Sequence, residues 1–255
     1  MCSKTIAIIQ PVYLPWLGYF EQIARADHFV FYDDAQYTKQ DWRNRNRIPG
    51  ANGPVWLTVP VQKAPLGARI NEIQIDNRHY WAKKQLRSVS FTYRRAPYFD
   101  RYFEMLEGIL TQDWSLLADL DVALIQAICA DMGITPEMSL SSQVPGDPGF
   151  ITQVDASAAD PVVARRNLRL VDLCRHHGAD LFYVGARASD YIDTALFGQF
   201  GIKVVFQDYQ HPSYPQPEPQ SHMAVIDLLM NTGPDARDIL LSSPAPGFAG
   251  SDTVR

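Results

Sequence analysis

At 255 residues, 46% hydrophobic and 20% charged, the chain can bury a large core, and a single α/β domain over residues 1–240 with a disordered tail at 241–255 is expected. A formal charge of −5 supplies no general basic field, which argues against duplex nucleic acid as a partner. Cys2, Cys129 and Cys174 are an odd number at wide spacing, matching neither a disulfide framework nor a zinc site. No run approaches the ~20 apolar residues that span a bilayer, and no leader pattern opens the chain, so a soluble, cytoplasmic protein without a membrane span is expected.

Thr5 to Ile9 is a β-branched run that stops at Gln10-Pro11, and the prolines at 11 and 15 keep a helix from starting before Pro15. From there Trp16, Leu17, Phe20, Ile23 and Ala24 follow helical spacing, with Glu21, Gln22 and Arg25 turned away. "HFVFYDD" then reads as a second buried strand. A right-handed crossover puts the C-terminal ends of both strands on one sheet edge, so Gln10 is expected beside Asp33 and Asp34. "VWLTVP" and "INEIQI" read as two further strands, and residues 78–133 as three helical segments broken near "RRAPYF" and "TQDW".

Residues 141–160 carry turn residues without a sustained period and read as an exposed loop or a lid. The βα rhythm returns from Pro161: "NLRLVDLCRHHG" a helix, "DLFYVGA" a strand, "SDYIDTALFGQFG" a helix, "IKVVFQDY" a strand. "QHPSYPQPEPQ" is an extended connection, and Ser221 is a candidate cap for a last helix through "MAVIDLLMN". The expected class is α/β, a Rossmann-like, mostly parallel sheet flanked by helices, with a mainly helical middle segment.

The strongest candidate site is the strand edge with Gln10, Tyr13, Asp33, Asp34, Gln36 and Tyr37. Two adjacent carboxylates there call for a cation, a metal or a raised pKa, unless one caps a turn and the other faces water. In the turn itself Pro11 and Pro15 hold the loop rigid, and Tyr13 and Tyr19 offer rings and hydroxyls as a pocket wall. If "KQDWRNRNRI" is extended, Arg43, Arg45 and Arg47 share one face, suited to phosphates. Trp42, Asn44 and Asn46 then share the other, suited to a sugar or base; the alternative is a charged, solvated edge strand.

In "YVGARASDYID", Gly185 allows close backbone approach, Ser189 or Asp190 can cap a helix that favours an anion, and Tyr191 lies at the same edge, although such turns are common. His211, at the end of the last strand, is placed for acid–base work, whereas His176-His177 reads as a helix-end feature. The sequence contains no HExxH, CxxC, nucleophile elbow or phosphate-loop pattern, so it carries no metal motif and leaves any cofactor unknown.

With these residues assembled, the chain resembles the WbqC-like family from residue 4 to about residue 240, through "IAIIQPVYLPWLGYF", "FVFYDDAQYTKQDWRNRNRI", "LTVPVQK", "INEIQIDNRHYWAKKQL", "YRRAPYF", "LFYVGARASDYID", "FQDYQHPSYPQ" and "VIDLLMNTG". That family is found among genes for O-antigen and other surface polysaccharides. The resemblance implies modification of an amino sugar by acyl or aminoacyl transfer, the donor being a thioester, a charged transfer RNA or an ATP-activated acid. It also implies a histidine on the helix after "NRHYW", where Gln85 stands. A more distant likeness of the first βαβ unit is to nucleotidylyltransferases of the HIGH-motif class, with Leu17 and Tyr19 where that motif has histidines.

Three functions are therefore weighed. In the first, a transferase takes a nucleotide-linked amino sugar: Arg43, Arg45 or Arg47 neutralises the diphosphate, Tyr13 and Trp42 bound the sugar, and Asp33 or Asp34 takes the proton of the attacking amine. In the second, an ATP-dependent ligase or nucleotidylyltransferase-like enzyme activates a carboxylate. In the third, the chain is a non-catalytic sugar-nucleotide-binding partner.

Overall fold

The computed structural model describes residues 3–39, 41–151, 160–216 and 220–244. Strand β1 (Thr5–Ile9) leads into helix α1 (Leu17–Ala24) and strand β2 (His28–Phe31), followed by β3 (Arg45–Ile48) and β4 (Val55–Thr58). Helices α2 (Trp81–Tyr93), α3 (Phe99–Leu110) and α4 (Leu117–Asp131) come next, then β5 (Glu137–Leu140), α5 (Pro148–Ile151) and α6 (Pro161–His176). The chain continues through β6 (Leu181–Val184), α7 (Thr194–Gln199), β7 (Lys203–Phe206), α8 (Ile226–Thr232) and α9 (Ala236–Leu240). None of the described helices is long and apolar enough to cross a membrane.

Five strands form one parallel sheet in the order β5-β2-β1-β6-β7. The chain thus starts at the centre, winds outward through β2 and β5, and returns to the other side of β1 through β6 and β7. Helices cover both faces, which is why β1, β2 and β6 are buried almost throughout and mostly apolar. Ala7, Phe29 and Phe31 pack with Phe20, Ile23, Leu124 and Ile128 on one face. Ile6, Ile8, Val30 and Phe182 pack with Leu170, Val171 and Phe197 on the other. This is the α/β, Rossmann-like arrangement of parallel strands flanked by helices, and the helical middle breaks where its proline and turn residues predict.

Several expectations are corrected. "INEIQI" is not a strand: Ile70–Glu72 is a 3-10 turn in which the Glu72 carboxylate accepts the Arg69 N–H at 2.8 Å, and only single bridges, such as Val61 to Ile75, follow. β3 and β4 instead form a separate antiparallel hairpin, Arg45 opposite Thr58 and Ile48 opposite Val55. β5, four residues at the sheet edge with no strong apolar pattern, is an addition to the predicted strands. Within the segment expected as a loop or lid, Ser141–Gln143 is a 3-10 turn with Ser141 buried, and α5 follows. The rest of that segment, 152–159, lies outside the described residues, as does most of the expected tail, from 245 on.

Glu21 and Gln22 are not turned to solvent; both are buried against β6 and β7. α6 begins earlier than expected, at Pro161, because Asp160 caps it by accepting the N–H groups of Val162 and Val163. α7 is capped by Asp193, not by Ser189 or Asp190, which lie in a 3-10 turn over Ala186–Asp190. Ser221 caps nothing, since α8 starts at Ile226 after a turn in which His222 takes a positive φ of 61°.

Candidate functional site

Strand order reverses between β1 and β6, and in open α/β sheets ligands sit beyond the carboxyl ends of the strands at such a switch point. A cleft lies there in two compartments, of about 540 and 690 Å³. They share Ile8, Ile9, Val184, Tyr191 and Arg43. The smaller is walled by Trp16, Tyr19, Trp42, Tyr209 and His222 over Gln22, Gln207 and Gly185. The larger is lined by Gln10, Gln36, Tyr37, Thr38 and Arg166.

The turn after β1 is held from outside. Asn46, on β3, donates its Nδ2 to the carbonyls of Leu14 at 2.6 Å and Tyr13 at 3.3 Å, and the Tyr13 N–H donates to the Trp42 carbonyl at 3.2 Å. Leu14 accepts a φ of 43°, a left-handed value uncommon outside glycine. This places Gln10 and Tyr19 at the cleft, with the Tyr19 hydroxyl donating to the Gln10 carbonyl at 3.2 Å. Tyr13 is corrected: its ring is fully buried and its hydroxyl donates to Gln85 Oε1 at 2.6 Å, so it supports the turn from beneath and bounds no ligand. The helix position where the resemblance implies a histidine therefore holds an amide that fixes a core tyrosine.

Arg43 stands between the compartments. Its Nη2 donates to Gln10 Oε1, its guanidinium lies 3.6 Å from Asp41, and its buried Nε has no partner among the described residues. Burial lowers its pKa, with Asp41 the largest opposing influence. Behind it, Asp121 on α4 is fully buried, and neither of its carboxyl oxygens has a hydrogen-bond partner among the described residues. Burial pushes that carboxyl far up, opposed by the charge of Arg43. Tyr19 and Tyr37 are raised as well, first by burial and then by Asp121.

The alternation predicted for "RNRNR" holds: Asn44 and Asn46 are buried while Arg43, Arg45 and Arg47 lie on the opposite side and are half-buried, Arg43 turned into the cleft. Asn44 is structural, donating to the Val59 carbonyl at 2.8 Å. Trp42 leaves the amide face and joins the arginines, with the Arg47 guanidinium 5.9 Å from its ring centroid and the Trp56 ring 5.6 Å away. Arg45 stacks 4.6 Å over Trp56, and neither it nor Arg47 lines the cleft.

Asp33 and Asp34 do reach the same sheet edge as Gln10, but neither lines the cleft. Asp33 accepts from the Ser142 N–H at 2.9 Å, the Ser142 hydroxyl at 2.6 Å and Asn71 Nδ2 at 3.2 Å, with the Ser141 hydroxyl 3.0 Å away. Asp34 contacts the Ser141 hydroxyl and lies 3.4 Å from Arg169, the cation that the carboxylate pair called for. The pair thus fastens the 141–143 turn.

His211 is a support as well. Its Nδ1–H donates to the Pro212 carbonyl at 3.0 Å and its Nε2 accepts the His222 N–H at 3.3 Å, a pattern that requires the neutral ring. Burial lowers its pKa accordingly. The imidazole at the cleft is that of His222, stacked on Trp16 with centroids 5.4 Å apart. Gly185 and Tyr191 line the cleft as expected from their strand end, whereas Ser189 is exposed and bonds the Ala186 carbonyl.

Sequence reasoning missed Gln22, Gln207, Tyr209, His222 and Arg166. Arg166 carried a signal, four residues before the core Leu170 on a helix that begins at the sheet's carboxyl edge. Among the described residues no group of three or more His, Cys, Asp or Glu converges as metal ligands would.

The chain is similar to the uncharacterized protein Rv1507c of Mycobacterium tuberculosis (strain ATCC 25618 / H37Rv), at 37% identity over 244 residues, covering 93% of this chain and 97% of that protein. No solved structure matches it. The model of the WbqC-like protein family matches residues 10–239, a span that includes every cleft residue except Ile8 and Ile9. The chain belongs to the WbqC-like protein family.

Proposed function

We propose that the protein binds a nucleotide-linked amino sugar in the switch-point cleft and transfers an acyl or aminoacyl group to its amine, in the assembly of a surface polysaccharide. The observation that carries this reading is Arg43, a guanidinium set between an aromatic-walled compartment and one lined by amides and hydroxyls. A sugar nucleotide has that order of parts: a planar base, a diphosphate and a hydroxyl-rich ring. Arg43 then meets the diphosphate, for which a planar guanidinium fork is the best-matched side chain. Gln10, Gln36 and Thr38 bond the sugar, while the rings of Trp16, Trp42 and Tyr209 flank the base. The carbon–nitrogen bond forms as the bond between the donor's carbonyl carbon and its leaving group breaks, and the proton released by the amine ends on the departing thiolate, alkoxide or phosphate. The donor is a thioester, a charged transfer RNA or an ATP-activated acid.

Thermal-shift titration tests this. Uridine- and thymidine-diphosphate amino sugars are expected to raise the melting temperature, by the equivalent of about 2.7 kcal/mol at a hundred times Kd, and ATP is not. Arg43→Gln is expected to weaken the sugar nucleotides at least ~10-fold, about 1.4 kcal/mol. A shift with ATP alone would overturn the reading in favour of carboxylate activation.

A further inference from the structure

The aromatic compartment has a polar floor whose orientation is fixed by a chain of hydrogen bonds. It begins at Glu21, 1% exposed on α1, which pairs with Arg25. Its carboxylate accepts from the Tyr183 hydroxyl at 2.9 and 3.1 Å and from Gln207 Nε2 at 2.7 Å. An ionised carboxylate accepts and cannot donate, so the amino group of Gln207 must face it. That amino group also donates to the Gly18 carbonyl at 2.8 Å, leaving Gln207 Oε1 to accept Gln22 Nε2 at 3.2 Å.

Gln22 Nε2 has a second acceptor, the Gly18 carbonyl at 3.4 Å. Both of its hydrogens face acceptors, which settles which end of the Gln22 amide is nitrogen. Gln22 Oε1 is what remains: a buried acceptor with no partner among the described residues, on a side chain only 6% exposed. An acceptor left so is costly unless something meets it.

What lies above it is Gly185. A methyl at that position would sit 3.7 Å from Gln22 Nε2 and 3.8 Å from Oε1. The missing side chain therefore leaves a notch over the amide, opening into the compartment that both residues line. The walls, Trp16 with Tyr209 at 5.6 Å and His222 at 5.4 Å, present ring faces and edges suited to a flat ring.

We infer that Gln22 is a specificity-determining residue: a nucleobase enters the aromatic compartment edge-first over Gly185 and donates a ring N–H to Gln22 Oε1. Glu21 and Gln207 are positioning residues that keep that oxygen turned upward. The inference rests on the reading of the cleft as a sugar-nucleotide site and adds to it the group that reads the base. Uracil is the probe of choice because N3–H is its sole N–H once the base is attached to ribose, and methylation removes it cleanly.

Isothermal titration calorimetry with uridine diphosphate and its N3-methyl analogue tests this on the wild type and on Gly185→Ala. The alanine is compatible with the fold, since its methyl would meet only ordinary contacts and the backbone at 185 has a negative φ of −58°. The wild type is expected to bind uridine diphosphate at least tenfold more tightly than the methylated form. Gly185→Ala is expected to bind both equally, at the weaker level, with an unchanged melting temperature. Equal binding of the two ligands by the wild type overturns the inference alone, as does discrimination that survives in Gly185→Ala. Absence of heat with uridine and thymidine diphosphates and with their sugars overturns the sugar-nucleotide reading along with it.

Discussion

Asp121 is the residue whose chemistry is least like that of its type. A carboxyl buried without a hydrogen-bond partner keeps its proton, because burial penalises the charged form, even with Arg43 nearby to offset it. Its folded-state pKa lies above the unfolded value, so the folded state holds the extra proton and stability falls as pH rises above the ordinary carboxylate range, by about 1.4 kcal/mol per pH unit while the difference persists. Asp121→Asn, permanently neutral, is expected to be more stable than the wild type at pH 7 and nearly equal to it at pH 4. Urea denaturation at the two pH values reads this. A variant weakened more at pH 7 than at pH 4 would mean instead that the carboxylate is ionised and pairs with Arg43. Other residues were partly readable before any coordinates. Gln10, Tyr37, Gly185 and Tyr191 all line the cleft because each follows a strand, and the carboxyl ends of the strands share an edge. Asp33 reaches that edge too, but its serine partners are not legible in the sequence, because they follow the neighbouring strand β5, which the sequence pattern does not reveal.

Helix α1 buries two polar side chains that its amphipathic pattern assigns to solvent. Apolar spacing finds the stripe against the sheet but not a second buried stripe of Glu21 and Gln22, whose burial depends on partners from β6 and β7. Gly18, in the same first turn, is a better signal. Alanine would serve a helix interior better by up to about 1 kcal/mol, yet a methyl here would lie 2.3 Å from the Trp16 ring. The glycine lets the indole fold back over the helix start and become a wall of the aromatic compartment. Gly18→Ala is therefore expected to destabilise the protein by ~1–3 kcal/mol through overpacking, against its propensity gain. Displacing Trp16 should also weaken uridine diphosphate binding at least ~10-fold, about 1.4 kcal/mol. Chemical denaturation and calorimetry on the same preparation check both; a stabilised variant with unchanged affinity would show that the ring does not rest there. The β3–β4 hairpin illustrates the opposite case, where alternation alone gave the inward asparagines correctly but not the side taken by Trp42, which precedes the strand.

Across the whole molecule, the parallel sheet and its flanking helices followed from the βα rhythm, whereas strand order could not, since β5 is short and its pairing with β2 is a tertiary choice. That order makes the cleft by leaving a crevice between β1 and β6. The surrounding core uses tyrosine heavily. Tyr13, Tyr19, Tyr32, Tyr37, Tyr93, Tyr102, Tyr183, Tyr209 and Tyr214 all have pKa values raised chiefly by burial, several with a neighbouring carboxylate adding to it. Each binds its proton more tightly folded than unfolded. Their contribution is fully present below the unfolded tyrosine pKa, about 10, and is lost as pH rises through the folded values. Above that threshold each such group subtracts about 1.4 kcal/mol per pH unit. The six set deepest in the molecule, Tyr13, Tyr19, Tyr32, Tyr93, Tyr209 and Tyr214, acting together would remove a typical domain stability of about 5–15 kcal/mol within about two units. Tyr37, Tyr102 and Tyr183, set nearer the surface, add less because solvent screens them. The protein is accordingly expected to unfold cooperatively in alkali, with most tyrosinate absorbance at 295 nm (about the usual wavelength) appearing in one step that coincides with loss of helical circular dichroism. Tyrosines that titrate gradually from pH ~10 while the dichroism stays native would show that these hydroxyls reach solvent in the folded state, and that the core around the cleft is looser than the hydrogen bonds of Tyr19 to Gln10, Tyr183 to Glu21, and Tyr93 and Tyr214 to Asp227 require.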